Sequence, residues 1–130
     1  MPVWIPESTV RAVHAELLAE HGGLPGPPDE HKLQATLARP QQLLTYGNPA
    51  PTIFQLAAAY GFGFARNHCF LDGNKRVALA ATDVFLQLNG HELTAPEPEA
   101  VTIILELAEG RLSEEELAEW IAANSTPFVA

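Results

Sequence analysis

Cysteine is almost absent from this chain. Cys69 is the only one, so no disulfide can form within the chain and nothing points to an oxidising compartment. Cations are scarce too. Seven Lys and Arg stand against sixteen Asp and Glu, a formal net charge of −9, and so acidic a chain lacks the spread basic face that nucleic acids demand. Long apolar runs are missing as well. The longest, Ile53 to Ala65, is interrupted by Gln55, Gly61 and Gly63; at about 1.5 Å per residue it would reach only about 20 Å, too short for a bilayer. The N-terminus has no basic flank leading into an apolar run, so no signal peptide is expected. These absences predict a cytoplasmic protein with neither nucleic acid nor membrane as its partner.

What is present is a chain of 130 residues with 47% hydrophobic content, enough for one domain (1–130) with a single core. Helical spacing dominates. Val10, Val13, His14, Leu17 and Leu18 share one helical face behind Pro6 and Glu7. Gly22 to Pro28 is a loop by composition. Asp29 can cap a shorter helix through Leu33 and Leu37 that Pro40 stops, and Gln41 to Pro51 reads as an irregular flap. Thr52-x-x-Gln55 is a capping box opening a mostly apolar helix to about Ala65. A further helix runs from Asn74 to Gln87 or Leu88, ended by Asn89-Gly90. His91 to Leu93 reads as a brief extended piece. Next comes a helix from Glu97 to Glu109, then a second capping box, Ser113-x-x-Glu116, and a last helix. Ser125 to Ala130 reads as a loose tail. The fold class that follows is all-α: a compact bundle of about six helices, without convincing strands, centred on the helices that start at Ile53 and Asn74.

Chemistry concentrates between those two helices. Arg66-Asn67-His68-Cys69-Phe70-Leu71-Asp72-Gly73-Asn74-Lys75-Arg76 gathers five polar residue types around a glycine that can turn sharply. Lys75 and Arg76 fall in the first turn of a helix, where the macrodipole already supplies positive charge. Local rules are broken most often where function requires it. A bound anion resolves the conflict, because free N–H groups, a Lys and an Arg make a phosphate site. His68 at the rim has an imidazole suited to taking a proton from a hydroxyl; the plainer reading is a histidine that hydrogen-bonds the loop. Asp72 is either a turn residue or a Mg²⁺ ligand beside phosphates. Gly73 would let the backbone approach phosphate. Asn74 can cap the helix or donate to phosphate, and the sequence does not separate these. Arg66 can add to the positive field or simply end its own helix. Phe70 and Cys69 read as packing residues. His14, His21, His31 and His91 lack comparable surroundings, which points to packing or surface roles.

The segment His68-x-Phe70-x-Asp72-Gly73-Asn74-Lys75-Arg76 resembles the Fic/Doc superfamily signature, in the form carried by death-on-curing (Doc) toxins. His21-Gly22-Gly23-Leu24-Pro25-Gly26 is similar to that family's N-terminal GGLPG loop. Leu37-Ala38-Arg39-Pro40 and Phe85-Leu86-Gln87-Leu88-Asn89-Gly90 also match, so the resemblance runs from about Ile5 to Leu93. It implies the Fic/Doc helical bundle, with the motif loop at the N-terminus of a central helix. It also implies His68 as the group that activates a target hydroxyl, Asp72 as the Mg²⁺ ligand, and Arg66, Gly73, Asn74, Lys75 and Arg76 as binders of ATP phosphates. Fic adenylyltransferases resemble G-N-G-R with a further Arg three residues on; Lys75 stands where their second glycine lies, and Leu79 where that Arg would be. The Doc branch carries the Lys, which implies an ATP-dependent protein kinase acting on a threonine of elongation factor Tu, and Gln41 to Pro51 is then expected to be the flap that aligns the target segment at the motif. Gly73 and Leu71 depart from the phage form of the motif. No in-chain inhibitory helix is apparent: the nearest match ends at Glu109-Gly110 but has Leu105 where a hydroxyl is required. A separate antitoxin is therefore the implied partner. Two other readings remain at this stage, an AMP transferase and a module that binds nucleotide or antitoxin without turnover.

Overall fold

A computed structural model describes residues 1–128. Its elements, in order, are α1 (Glu7–His21), α2 (Glu30–Tyr46), α3 (Ile53–Arg66), α4 (Asn74–Leu88), β1 (His91–Leu93), α5 (Glu97–Ala108), α6 (Glu114–Ala123) and β2 (Ser125–Pro127). Of the six helices, α3 is central, packed against α2, α4, α5 and α6, and it buries Leu56 through Gly61 and Gly63 through Ala65. A helix so apolar all round is stable only inside a protein. Both anticipated capping boxes are formed: Thr52 with Gln55 starts α3, and Ser113 with Glu116 starts α6. The core joins Tyr60 and Phe64 of α3 to Phe85 and Leu86 of α4, Leu33 of α2, Leu107 of α5 and Leu117 and Ile121 of α6.

Three expectations need correction. Pro40 does not end the second helix, which continues to Tyr46 with Pro40 buried inside it. Leu43 and Leu44 beyond it pack on the core, and their burial outweighs the N–H that proline withholds. The irregular stretch therefore shrinks to 47–52. The tail is not loose where it is described: β2 pairs antiparallel with β1, His91 opposite Pro127 and Leu93 opposite Ser125. Three-residue strands leave too little alternation to be seen in a sequence. Residues 129 and 130 of that expectation lie outside the described residues.

The third correction concerns the flap. Gln41 to Pro51 precedes the N-terminus of α3, whereas the motif follows its C-terminus. Fourteen residues of helix separate the two, a distance of about 21 Å. What lies against the motif is the loop of residues 22–29. Leu24 N–H donates to Asp72 Oδ2 at 3.0 Å, and Asp29 N–H donates to the Cys69 carbonyl at 2.7 Å. Among the described residues, no helix is long and apolar enough to cross a membrane.

Candidate active site

The motif is the turn of a helical hairpin. Helix α3 stops at Asn67, and the chain reverses through residues 68–73 before α4 begins. His68 takes φ +52° and Gly73 φ +84°, both left-handed; the second is the conformation glycine adopts at least cost. Gly73 occupies the cap position of α4 without a side-chain cap. The first-turn N–H groups of α4 consequently point out of the helix end with no partner within it. Asn74 does not cap α4 with its side chain. Its Oδ1 accepts from Phe70 N–H at 3.0 Å and its Nδ2 donates to the Phe70 carbonyl at 2.8 Å, so its side chain closes the loop as a backbone strand would.

Asp72 is held at both oxygens. Leu24 N–H reaches Oδ2, and Gly73 N–H reaches Oδ1 at 2.9 Å. These two bonds, helped by the nearby Arg76 charge, set its carboxyl below the usual carboxylate range. Asp72 is therefore a fixed anion at physiological pH. Each oxygen keeps a second acceptor position, so the carboxylate can still face a cation.

His14 was expected only to pack or to face solvent. It is buried, its ring stacks on Phe70 with centroids 3.8 Å apart, and its Nε2 lies 2.9 Å from the Asp72 carbonyl. A carbonyl accepts, so Nε2 carries the proton. The loop that presents Asp72 thus rests on α1 as well as on its own hairpin. No signal in the sequence separates His14 from an ordinary residue of an apolar face.

A cleft of about 540 Å³ runs past this loop, lined by His68, Asp72, Gly73, Asn74, Lys75 and Arg76 and by Val101, Leu105 and Ala108 of α5 with Glu109 just beyond it. A second cleft of about 570 Å³ shares Lys75, Arg76, Val101 and Leu105 and continues along His21, Leu79 and Asp83. The two exposed cations form the ridge between them. Glu109 at the rim is ion-paired with Arg111 at 2.6 Å. Arg66 does not join this group. Its guanidinium lies 5.4 Å from the Phe62 ring centre and reaches toward the Leu107 carbonyl, the ordinary place for a cation near a helix C-terminus. Cys69 is buried, and that burial pushes its thiol up, which leaves it unreactive as a nucleophile.

The arrangement suits a polyphosphate with a divalent cation. Among the described residues, no group of three or more His, Cys, Asp or Glu side chains could hold a metal alone. A single fixed carboxylate beside an anion site fits Mg²⁺, which takes one or two carboxylates and draws its other ligands from water and phosphate.

The sequence profile of the Fic/DOC family matches residues 4–86. A relative named "Protein kinase doc", from Escherichia phage P1, is 32% identical over 114 residues, 88% of each chain. The chain belongs to the Fic/Doc family. A second relative, "Toxin Doc" of Mycolicibacterium smegmatis, is 44% identical over 63 residues, 48% of each chain. The matched residues include the turn between α3 and α4 that carries His68, Asp72 and Gly73.

Proposed function

We propose that this Doc-type enzyme is a toxin kinase that transfers the terminal phosphate of ATP to a threonine hydroxyl of elongation factor Tu, which arrests translation until a separate antitoxin restrains it. The observation that carries the reading is the juxtaposition of His68 with the fixed Asp72 carboxylate, the free N–H groups of α4 and the Lys75–Arg76 ridge along one cleft. In this reading the α4 N-terminus, Lys75 and Arg76 bind phosphate oxygens, Arg76 as a two-pronged donor and Lys75 as a point charge. Gly73 lets the backbone come close, and Asn74 keeps the turn closed around it. Asp72 would hold Mg²⁺, which when bound neutralises charge between the phosphates.

His68 Nε2 or Nδ1 accepts the hydroxyl proton as the threonine oxygen bonds to the terminal phosphorus. The bond from that phosphorus to the bridging oxygen breaks, and ADP leaves. The loop of residues 22–29 would align the target segment, since it touches the motif whereas residues 47–52 precede the far end of α3. Leu24 and Leu71 present exposed side chains there.

The name of the phage relative supports phosphate transfer, and Lys75 supports it over AMP transfer. The test is a pair of assays with purified protein, Mg²⁺ and elongation factor Tu, using ATP labelled at the γ- or the α-phosphate. Label from the γ-position alone is expected. Label from the α-position would mean AMP transfer and would overturn the kinase reading. Silence in both, repeated in a whole lysate, would leave a protein that binds without turnover.

A further inference from the structure

The His68 ring is exposed, and among the described residues no side chain hydrogen-bonds it. Its direction is therefore set by its backbone, which sits at φ +52°. A side chain bearing a Cβ adopts that region only when its surroundings impose it. What imposes it here is visible on both sides of the residue.

Thr36, in the middle of α2, is 1% exposed. Its hydroxyl donates to the Lys32 carbonyl at 2.8 Å, one turn back in its own helix. Having given its single hydrogen there, Oγ1 can only accept elsewhere. It accepts from Asn67 Nδ2 at 2.8 Å, and the Cys69 thiol lies 3.3 Å from it, so the S–H donates. Asn67 and Cys69 are the residues immediately before and after His68. One buried oxygen thus ties down both neighbours of the base, while the Cys69 carbonyl is held separately by Asp29 N–H. All three bonding positions of the hydroxyl are filled.

We infer that Thr36 is a positioning residue for His68: its hydroxyl, by fixing Asn67 and Cys69, imposes the left-handed backbone that aims the imidazole into the cleft. The inference rests on the role of His68 as base proposed above. It extends the reactive constellation to a helix whose side chains do not line the motif cleft. Thr36 acts on the direction of the base and leaves the nucleotide's binding groups alone.

Two substitutions separate positioning from packing. Thr36→Val keeps the buried volume and removes the hydroxyl; Thr36→Ser keeps the hydroxyl and removes a methyl. Steady-state transfer to elongation factor Tu is measured for both beside wild type and His68→Ala, and residual dipolar couplings are recorded for the His68 backbone. Thr36→Val is expected to lower kcat about 10- to 100-fold, the scale on which small misplacements of reacting groups act, with ATP KM within about twofold. The His68 couplings should move away from the left-handed value, and Thr36→Ser should restore both readouts. Unchanged couplings in Thr36→Val, or a serine variant as impaired as the valine one, would overturn the inference. Full activity in His68→Ala would instead remove the base reading. If elongation factor Tu accepts no phosphate even from wild type, the target is wrong, and the couplings still decide whether Thr36 sets the His68 backbone.

Discussion

His68 and Asp72 stand in one loop but should fail in different ways when changed. His68 is exposed and outside the core, so His68→Ala is expected to leave the melting temperature near wild type. It should lower kcat by about 10² to 10⁴, the usual contribution of a general base. Calorimetry and γ-phosphate transfer on the same preparation check this, and a variant as fast as wild type would end the mechanism. Asp72 has a structural duty as well, because Leu24 and Gly73 N–H groups are satisfied by it. Its folded pKa lies below the ordinary value of about 3.9. The stability it adds is therefore complete above that value and is lost as pH falls through the folded pKa. Asp72→Asn should lower the urea midpoint at pH 7 by more than it does at about pH 3; equal losses at both would mean the ionised form has no special hold on the loop. His68, Asp72, Lys75 and Arg76 were all legible as candidates, because the sequence itself sets charges against a helix dipole there. His14 and Thr36 were not. Their polar atoms matter through backbone groups and side chains 31 to 58 residues away, and one chain read alone carries no trace of such pairings.

At the scale of elements, legibility follows the strength of local signals. Helices α3, α4 and α6 were marked by capping boxes or by a glycine stop, and their bounds agree with the sequence within a residue or two. Helix α2 was cut short because proline is a strong local breaker, yet the buried Pro40, with Leu43 and Leu44 packed beyond it, carries the helix past that point. The flap is a separate matter: residues 41–51 lie before α3 and the motif after it, so the loop of residues 22–29 is the one that lies on the motif. The α3–α4 contact itself depends on a close approach. A Cβ at Gly61 would fall 2.6 Å from Thr82 Oγ1 and 3.2 Å from Leu117 Cδ2. Gly61→Ala should therefore destabilise despite a helix-propensity gain of about 1 kcal/mol, since overpacking a core costs about 1–3 kcal/mol. The expected readout is a lower urea midpoint with an unchanged m-value. A raised midpoint would show that the two helices can part without loss.

Over the whole molecule, charge is distributed so that attraction for anions is local. Arg11 is paired with Glu7 and Glu30, Arg39 with Glu114, and Arg111 with Glu109. Lys75 and Arg76 lie on the ridge of the cleft without such an ion pair among the described residues. With a net charge of −9, the protein should show no retardation of duplex DNA in a gel shift at about 0.15 M salt, where non-specific binding needs many phosphate contacts. Lys75→Ala and Arg76→Ala should each raise ATP KM, because the field that recruits phosphate is made by few charges. A DNA shift abolished by the same two substitutions would mean that this ridge serves a larger polyanion.

One consequence of the hairpin concerns time. Helices α3 and α4 are consecutive, pack together at the centre and are joined by the seven residues 67–73. Contacts of low sequence separation close early in folding, before distant segments are gathered in. The turn between α3 and α4 is thus expected to belong to the folding nucleus, with φ-values well above those of α1 and β2. Conservative changes within α3 and α4 should then slow refolding, whereas changes in β2 should mainly speed unfolding. On this account the turn that carries His68 and Asp72 takes shape when the chain first collapses, and Thr36 of α2 and the Leu24 backbone dock onto it afterwards.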